Sequence, residues 1–558
     1  MAQIQIGVNL TQEEFPFNPN NFVDTELRDT GFEQKIIPPQ VFYLQNCLPM
    51  SRGYTSVHYA RVISDSSYPI YMDKILQLRN DLGEVALLSP AQGQNLVYTA
   101  VTGEWRTNAF PSPATGAVSI AYLKGKTYLC YAGLGLYSYD FGAQELVEET
   151  VTGGISFTDI IGVTAAGSYL ILYTKTYFVY SSPLDPLDFT PALGAGGQSK
   201  ILANRGIITT ILPISNGVIV HTTVNSIAAQ LSGNVNFPFT FREIPNSAGV
   251  EDSEHVTYDS TNDVHIALTT SGLMQISVQR AQLILPELSE LIANKRYPVV
   301  ATEPTTAKTD NLSVKISSIG TRYVVVSLKA AVKIEFDMAY VYDAALNRWG
   351  TINIPHIDLF EYRAPEFTRL FTYDELTSTY DTYTQVYDAL GEKITSQAAK
   401  FGATFGCVGK LGGVYVALAA DYADVQLLES PSAAATPRIV FGKFRVVRRQ
   451  GAMVHHLDIN NIYDGIVAVY GHDLGGRMVK TKELVQSSRS NTTFLGRLHG
   501  SSVSFGISGR FSLSHVTLTC EPQASGLQVV ATAELTNESA VVVDAVPVAI
   551  DGEEVVLT

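Results

Sequence analysis

The sequence predicts an all-β chain: a β-propeller-like array of about five to seven blades, followed by a second small β domain. Three observations predict it. A unit of turn, apolar strand, tight reversal and second strand returns four times, as GKTYLCYAGLGLYSY from Gly125, GSYLILYTKTYFVY from Gly167, GVIVHTTVNSIAAQ from Gly217 and DVHIALTTSGLMQIS from Asp263. The starts lie 42, 50 and 46 residues apart, which is the length of a four-stranded blade and too long for a leucine-rich or ankyrin repeat. Composition agrees: Tyr (29) and Phe (24) are abundant, and short apolar runs are separated by Gly, Asn and Ser.

In chain order, residues 1–53 read as an extended arm, because FPFNPNNF and Ile36–Ile37–Pro38–Pro39 place prolines where helix and central strand are both blocked. Residues 54–429 carry the blades. ILQLRNDLGEVALL (Ile75 to Leu88) is a weaker hairpin turning through Asn80, Asp81 and Gly83, and TRYVVVSLKAAVKIEF from Thr321 and GKLGGVYVALAA from Gly409 continue the array. Between them, Leu370 to Tyr387 is strand-like without a clear register. Lys124–Gly125 and Asn216–Gly217 supply the positive φ that two-residue hairpins require. One helical insertion is expected near 279–298, with Leu283, Pro286, Leu288, Leu291 and Ile292 on one apolar face and Pro286 near its first turn. SPSAAATP (Ser430 to Pro437) reads as a linker. Residues 430–526 then alternate apolar and polar as a second β domain, whose expected partner is the arm or a neighbour, and 527–558 form an acidic, Val-rich segment.

Charge and chemistry exclude more than they select. The net charge of −15, from 38 basic and 53 acidic residues, argues against tight nucleic-acid binding while suiting a surface that nucleic acid slides past. Cys47, Cys130, Cys407 and Cys520 have no CxxC spacing and read as buried reduced thiols. The first residues lack a basic-then-apolar leader and no run reaches membrane-helix length, so folding in a reducing cytoplasm without a membrane span is expected. In His455–His456–Leu457–Asp458 only His456 and Asp458 share a strand face, too few for zinc. GAGGQSK (Gly194 to Lys200) lacks the GxxxxGK[ST] spacing and a helix behind it. His221 and His265 read as core or channel-facing histidines, and Glu287 and Glu290 as solvated charge on the helix. The sequence names no catalytic, metal or cofactor-binding residue and predicts a protein that is not an enzyme.

Three segments carry a resemblance: SGN…FPFTFREI…SAG (Ser232 to Gly249) within Ser181 to Val250, SGLMQIS…AQLILPELSELI (Ser271 to Ile292), and AYVYDAALNRWG (Ala339 to Gly350). They resemble the propeller-containing tail nozzle, tail tubular and tail-hub structural proteins of short-tailed bacteriophages, over about the central half of the chain. The resemblance implies a virion tail protein made in the host cytoplasm and assembled with itself as a ring, commonly of six subunits. It also implies adaptor (connector) and tail fibre proteins as partners, and genomic DNA passing through without tight binding. This chain is shorter than the larger nozzles.

On that reading the candidate subunit-interface residues are Phe237, Phe239, Phe241 and Arg242, since aromatic and Arg side chains anchor interfaces. The packing alternative buries alternate Phe side chains between blades and pairs Arg242 with Glu243 or a turn. Arg445, Arg448 and Arg449 are candidates for DNA or partner contact, against a solvated strand face as the simpler reading. Two rival functions stand beside the ring: a propeller binding host-surface glycans or a receptor, for which Trp105 and Trp349 are thin provision, and a propeller hydrolase, for which no repeated set of acids is found.

Overall fold

The computed structural model describes residues 2–7, 41–49, 53–61, 74–91, 94–98, 105–108, 118–201, 203–284, 286–299, 305–309, 311–346 and 348–361, and beyond these the strands and short segments 366–370, 391–395, 405–408, 414–418, 436–441, 452–459, 462–472, 478–486, 492–500, 502–513, 515–522, 531–535 and 541–545. These residues are nearly all β, and they include a run of antiparallel four-stranded sheets in chain order. The first holds Leu76–Arg79, Val85–Ala91, Gln94–Tyr98 and Trp105–Asn108, and the second Val118–Leu123, Lys126–Tyr131, Gly135–Asp140 and Glu145–Glu148. The third holds Ile160–Ala166, Tyr169–Thr174, Tyr177–Tyr180 and Gly197–Lys200, and the fourth Ile208–Ile214, Gly217–Thr222, Ser226–Leu231 and Phe239–Glu243. The fifth holds Val256–Asp259, Val264–Thr269, Gly272–Ile276 and Ala281–Leu283.

A sixth set, Leu312–Ile319, Tyr323–Ala330, Met338–Asp343 and Arg348–Ile352, does not end at its fourth strand. It continues through Cys47–Pro49 and Tyr54–Ser56 to the long strand Ser502–Leu513. The seventh sheet joins Asp358–Glu361, Phe405–Val408 and Val414–Leu418 to a strand from the other end of the chain, His58–Arg61, with Leu418 opposite His58.

The repeated hairpins of the sequence are the second and third strands of the second to fifth sheets, and their starts are fixed by backbone conformation. Lys124 and Gly125 have φ of 49° and 77°, the paired left-handed residues of a tight hairpin turn. At Gly217, φ is 135° and a Cβ would lie 2.3 Å from the Ala229 carbonyl oxygen, so only glycine fits. The second strands are apolar without alternation because both their faces are covered. Every residue of Gly217–Thr222 is buried, as are the first five of Tyr169–Thr174.

The core is accordingly a set of layers between successive sheets. Leu78, Leu88, Leu129 and Tyr131 fill the space between the first and second sheets, and Cys130, Leu136, Leu170 and Leu172 that between the second and third. Ile171, Phe178, Val220 and Phe239 lie between the third and fourth, and Ile219, Ala228, Ala267 and Ile276 between the fourth and fifth. Val325, Val341 and Leu359 join the sixth to the seventh. Polar bonds repeat the pattern. Arg79 N donates to Thr127 Oγ1 at 3.0 Å, Val163 N to Ser119 Oγ at 2.8 Å, and Ile75 N to Asp358 Oδ2 at 3.1 Å, the last linking the seventh sheet back to the first.

Two elements differ from the sequence reading. The helix is Pro286–Ala293 alone, with proline at its first position and Leu288 and Leu291 buried. Leu283 belongs to the fourth strand of the fifth sheet and is exposed, because the Ala281 N–H is taken by the Pro245 carbonyl and the chain stays extended there. In the sixth sheet KIEF is not the returning strand. The reversal runs through Val332, 92% exposed, and the return is Met338–Asp343.

The strands that follow 429 make further sheets with the first residues of the chain. Val41–Gln45 pairs with Arg438–Phe441, and Ala2–Gly7 pairs with His515–Pro522 in a sheet that also holds Ala452–Ile459 and Thr492–Gly500. Ala531–Leu535 and Val541–Ala545 form a hairpin in the acidic segment. Residues 371–387 of the strand-like stretch, and 430–435 of the linker, lie outside the described residues.

Candidate interaction surface

Phe237 ends a loop whose shape is set by its own polar side chains. Ser232 Oγ accepts from Asn234 N at 3.0 Å, Asn234 Oδ1 accepts from Asn236 N at 3.0 Å, and Phe237 N donates to Asn234 O at 3.1 Å, with Gly233 at φ 75°. These bonds brace the loop, and Val235 and Phe237 stand exposed on it, Phe237 at 69%. Two residues on, Phe239 does the opposite. It is buried, and its ring meets Phe178 at 5.0 Å and Tyr169 and Tyr180 at 5.5 Å, on the third sheet. Phe241 is partly exposed and meets Phe178 edge-on at 5.3 Å.

Arg242 and Glu243 are not partners. Arg242 Nη2 donates to the Val278 carbonyl at 2.7 Å, reaching the fifth sheet, while Glu243 pairs with Arg205 and accepts from Asn225 Nδ2. Neighbouring residues of a strand point to opposite faces, which separates the two. The four aromatic and Arg candidates thus divide by what they touch: Phe239 packs the third sheet against the fourth, Arg242 ties the fourth to the fifth, Phe241 straddles, and Phe237 is free to meet another molecule.

A second loop, between the third and fourth strands of the third sheet, comes up beside the first. A Cβ at Gly194 would stand 3.6 Å from Val235 Cγ1, so the loops abut, and Leu193, next to Gly194 in sequence, is 79% exposed as Val235 and Phe237 are exposed on the first loop. The loop is pinned from below by buried Phe189, against whose backbone Gly153 and Gly196 pack too closely to carry a side chain. Lys124 Nζ also holds it, donating to the carbonyls of Pro183 and Leu184 at 2.9 and 2.8 Å. Leu193 and Val235 are not among the residues that the sequence singles out. The available signal was lone apolar residues set inside turn-forming runs, in PALGAGG and SGNVNFP. GAGGQSK proves to be this loop running into the strand Gly197–Lys200.

The histidines of the strands Gly217–Thr222 and Val264–Thr269 are interior. His221 and His265 are fully buried and bonded to each other across the fourth and fifth sheets, His221 Nε2 to His265 Nδ1 at 2.8 Å. A cleft of about 400 Å³ opens between the helix and the fifth sheet, lined by Glu251, His255, Thr270, Ser271, Glu290 and Ile292. Burial pushes the Cys47 and Cys130 thiols up to about 12, far from the range of a reactive thiolate. Among the described residues no three His, Cys, Asp or Glu side chains stand together as metal ligands. His456 lies on a strand with a register shift between Val454 and His456. Arg445, Arg448 and Arg449 lie outside the described residues. Trp349 is buried, and among the described residues no helix is long and apolar enough to cross a membrane.

No family model matches the chain, and no curated protein matches it. Among solved structures it is similar to that of U3-55K, at 8% identity and a TM-score of 0.33, over 50% of this chain and 81% of the other. A likeness at that level carries no argument about function.

Proposed function

We propose that the seven successive sheets are the blades of a closed propeller whose last blade is completed by His58–Arg61. On the same reading the protein is a non-enzymatic structural component of a short phage tail, and copies of it form a ring that closes and conducts the genome. The observation that carries the assembly reading is the exposed set Leu193, Val235 and Phe237 on two abutting loops, one of them braced by the bonds of Ser232 and Asn234. The acidic balance supports a conduit that DNA passes without adhering. The resemblance of Ser232 to Gly249 supplies the tail context, and the ring of six, its adaptor and fibre partners and its place in the virion rest on that resemblance. Burial of Trp349 speaks against it as a glycan platform.

Electron microscopy of the purified protein, alone and added to tail-adaptor complexes, tests the reading. Closed rings on the tail axis are expected, with Phe237→Ser weakening self-association about thirtyfold, the equivalent of a 2 kcal/mol anchor, at unchanged folded stability. A protein that stays monomeric beside its adaptor, or rings indifferent to Phe237→Ser, sinks the conduit or the interface respectively.

A further inference from the structure

We propose that His221 and His265 are an acid-operated latch between the fourth and fifth sheets, closed while both rings are neutral and opened by the uptake of two protons. This inference stands apart from the tail reading and does not depend on it.

The hydrogen-bond chain assigns every proton. His265 Nε2 lies 2.8 Å from the Pro213 carbonyl, which only accepts, so Nε2 carries the hydrogen and Nδ1 is left with a lone pair. That lone pair accepts from His221 Nε2 at 2.8 Å, and His221 Nδ1, at 2.9 Å, therefore accepts the Ser226 hydroxyl. All four ring nitrogens are satisfied by protein groups, and both rings are fully buried. One added proton fits: placed on His221 Nδ1, it needs only that the Ser226 hydroxyl turn from donor to acceptor. A second has nowhere to go. The remaining basic nitrogen, His265 Nδ1, would then present an N–H to the N–H of His221, with two positive charges side by side in a water-excluded seam.

The titratable groups facing the pair are Tyr258, whose ring stands 5.6 Å from His265, and Asp263. Asp263 is committed elsewhere: Oδ1 accepts from Tyr258 Oη at 2.9 Å and from Ser215 N at 2.7 Å, and Oδ2 accepts the Ser215 hydroxyl. Burial pushes the pKa of His265 down to about 4 and that of His221 well below its ordinary 6.5, with Asp263 offsetting only part of the effect at His265. The sign follows. Opening frees both rings to take protons, so the latch holds fully above about pH 6.5 and weakens as pH falls toward about 4.

Hydrogen exchange on the full chain, read as protection factors at about pH 6.5 and about pH 4.5, tests this. Each proton taken up on opening lowers protection about fortyfold over that interval, so amides of Ile208–Ile214, Gly217–Thr222 and Val264–Thr269 should lose about a thousandfold or somewhat more. Tyr169–Thr174, in a sheet without histidine, should hold. His221→Leu with His265→Met should flatten the response. Ser226→Ala, which removes the described acceptor that lets the closed seam hold a first proton, should deepen the loss at low pH and serves if the double variant does not fold. A loss of a hundredfold or less at the seam, an equal loss in Tyr169–Thr174, or a loss not deepened by Ser226→Ala overturns the latch.

Discussion

The junction of the fourth and fifth sheets and the junction where the seventh meets its neighbours solve one problem in opposite ways. Both must fix adjacent sheets to each other across a buried boundary. The former uses two neutral imidazoles and a hydroxyl. The latter uses ions: Lys315 Nζ stands 2.5 Å from Asp358 Oδ1, with side chains only 10% and 5% exposed, and Arg79 Nη2 stands 2.8 Å from Glu361 Oε2 nearer the solvent. Lys74 lies nearby, its pKa lowered by burial and by Lys315. A neutral chain costs little to bury and fails when a proton arrives. A buried ion pair costs desolvation from the outset and fails when either partner is removed. The boundary between sheets is therefore tuned by what can disturb it.

The largest expected effect breaks the ionic junction. Lys315→Met leaves Asp358 charged and buried with the Ile75 N–H as its remaining described bond, and should lower the urea midpoint by the equivalent of about 3–5 kcal/mol. Adding Asp358→Leu to that variant should recover much of the loss; no recovery would show that the pair is not the cause.

A somewhat smaller effect places a neutral histidine inside the ionic region. His356 is fully buried, with Nδ1 2.7 Å from the Ile354 carbonyl and Nε2 2.9 Å from Ser327 Oγ, and burial lowers its pKa to about 4. Its folded value lies below its unfolded one, so its contribution is present above about pH 6.5 and lost as pH falls. Between about pH 7 and pH 4.5 the natural protein should lose about 2–3 kcal/mol more than His356→Gln in parallel denaturation curves. Equal losses would remove His356 from the acid response.

Packing gives a comparison of similar size within one loop. Phe239→Ala should cost about 3 kcal/mol or more by emptying the aromatic contact with Phe178, while Phe237→Ser changes thermal stability by no more than about 0.5 kcal/mol. If both destabilise alike, Phe237 is part of the fold. The smallest effect is at the partly exposed pair: Arg79→Met should cost about 0–1 kcal/mol, shrinking further in high salt.

What the sequence showed of this depended on whether a signal was local. Lys124–Gly125, Gly167, Asn216–Gly217 and Asp263 announce their hairpins because each has a residue at positive φ, a demand that only a few residue types meet. The unbroken apolar second strands follow from cover on both faces. The sixth reversal was misplaced because Val332 and Ile334 look like strand residues yet stand exposed in the turn. The seventh sheet was hidden for a different reason. Its outer strand is supplied by His58–Arg61, and nothing in those four residues names a partner. At the surface, the FPFTFRE pattern pointed to the right loop, but which Phe is buried was decided by Phe178 and Tyr169 on another sheet.

That borrowed outer strand also sets the order in which the chain can mature. His58–Arg61 leaves the ribosome first and waits for Val414–Leu418, about 360 residues later, and Cys47–Pro49 waits almost as long for Arg348–Ile352. At about 5–20 residues per second the early strand stays unpaired for about 20–70 s while the middle sheets form from neighbours in sequence. The seventh sheet therefore closes only once Val414–Leu418 has been made. The emerging N-terminal strands are the stretch most in need of protection from other chains until that moment.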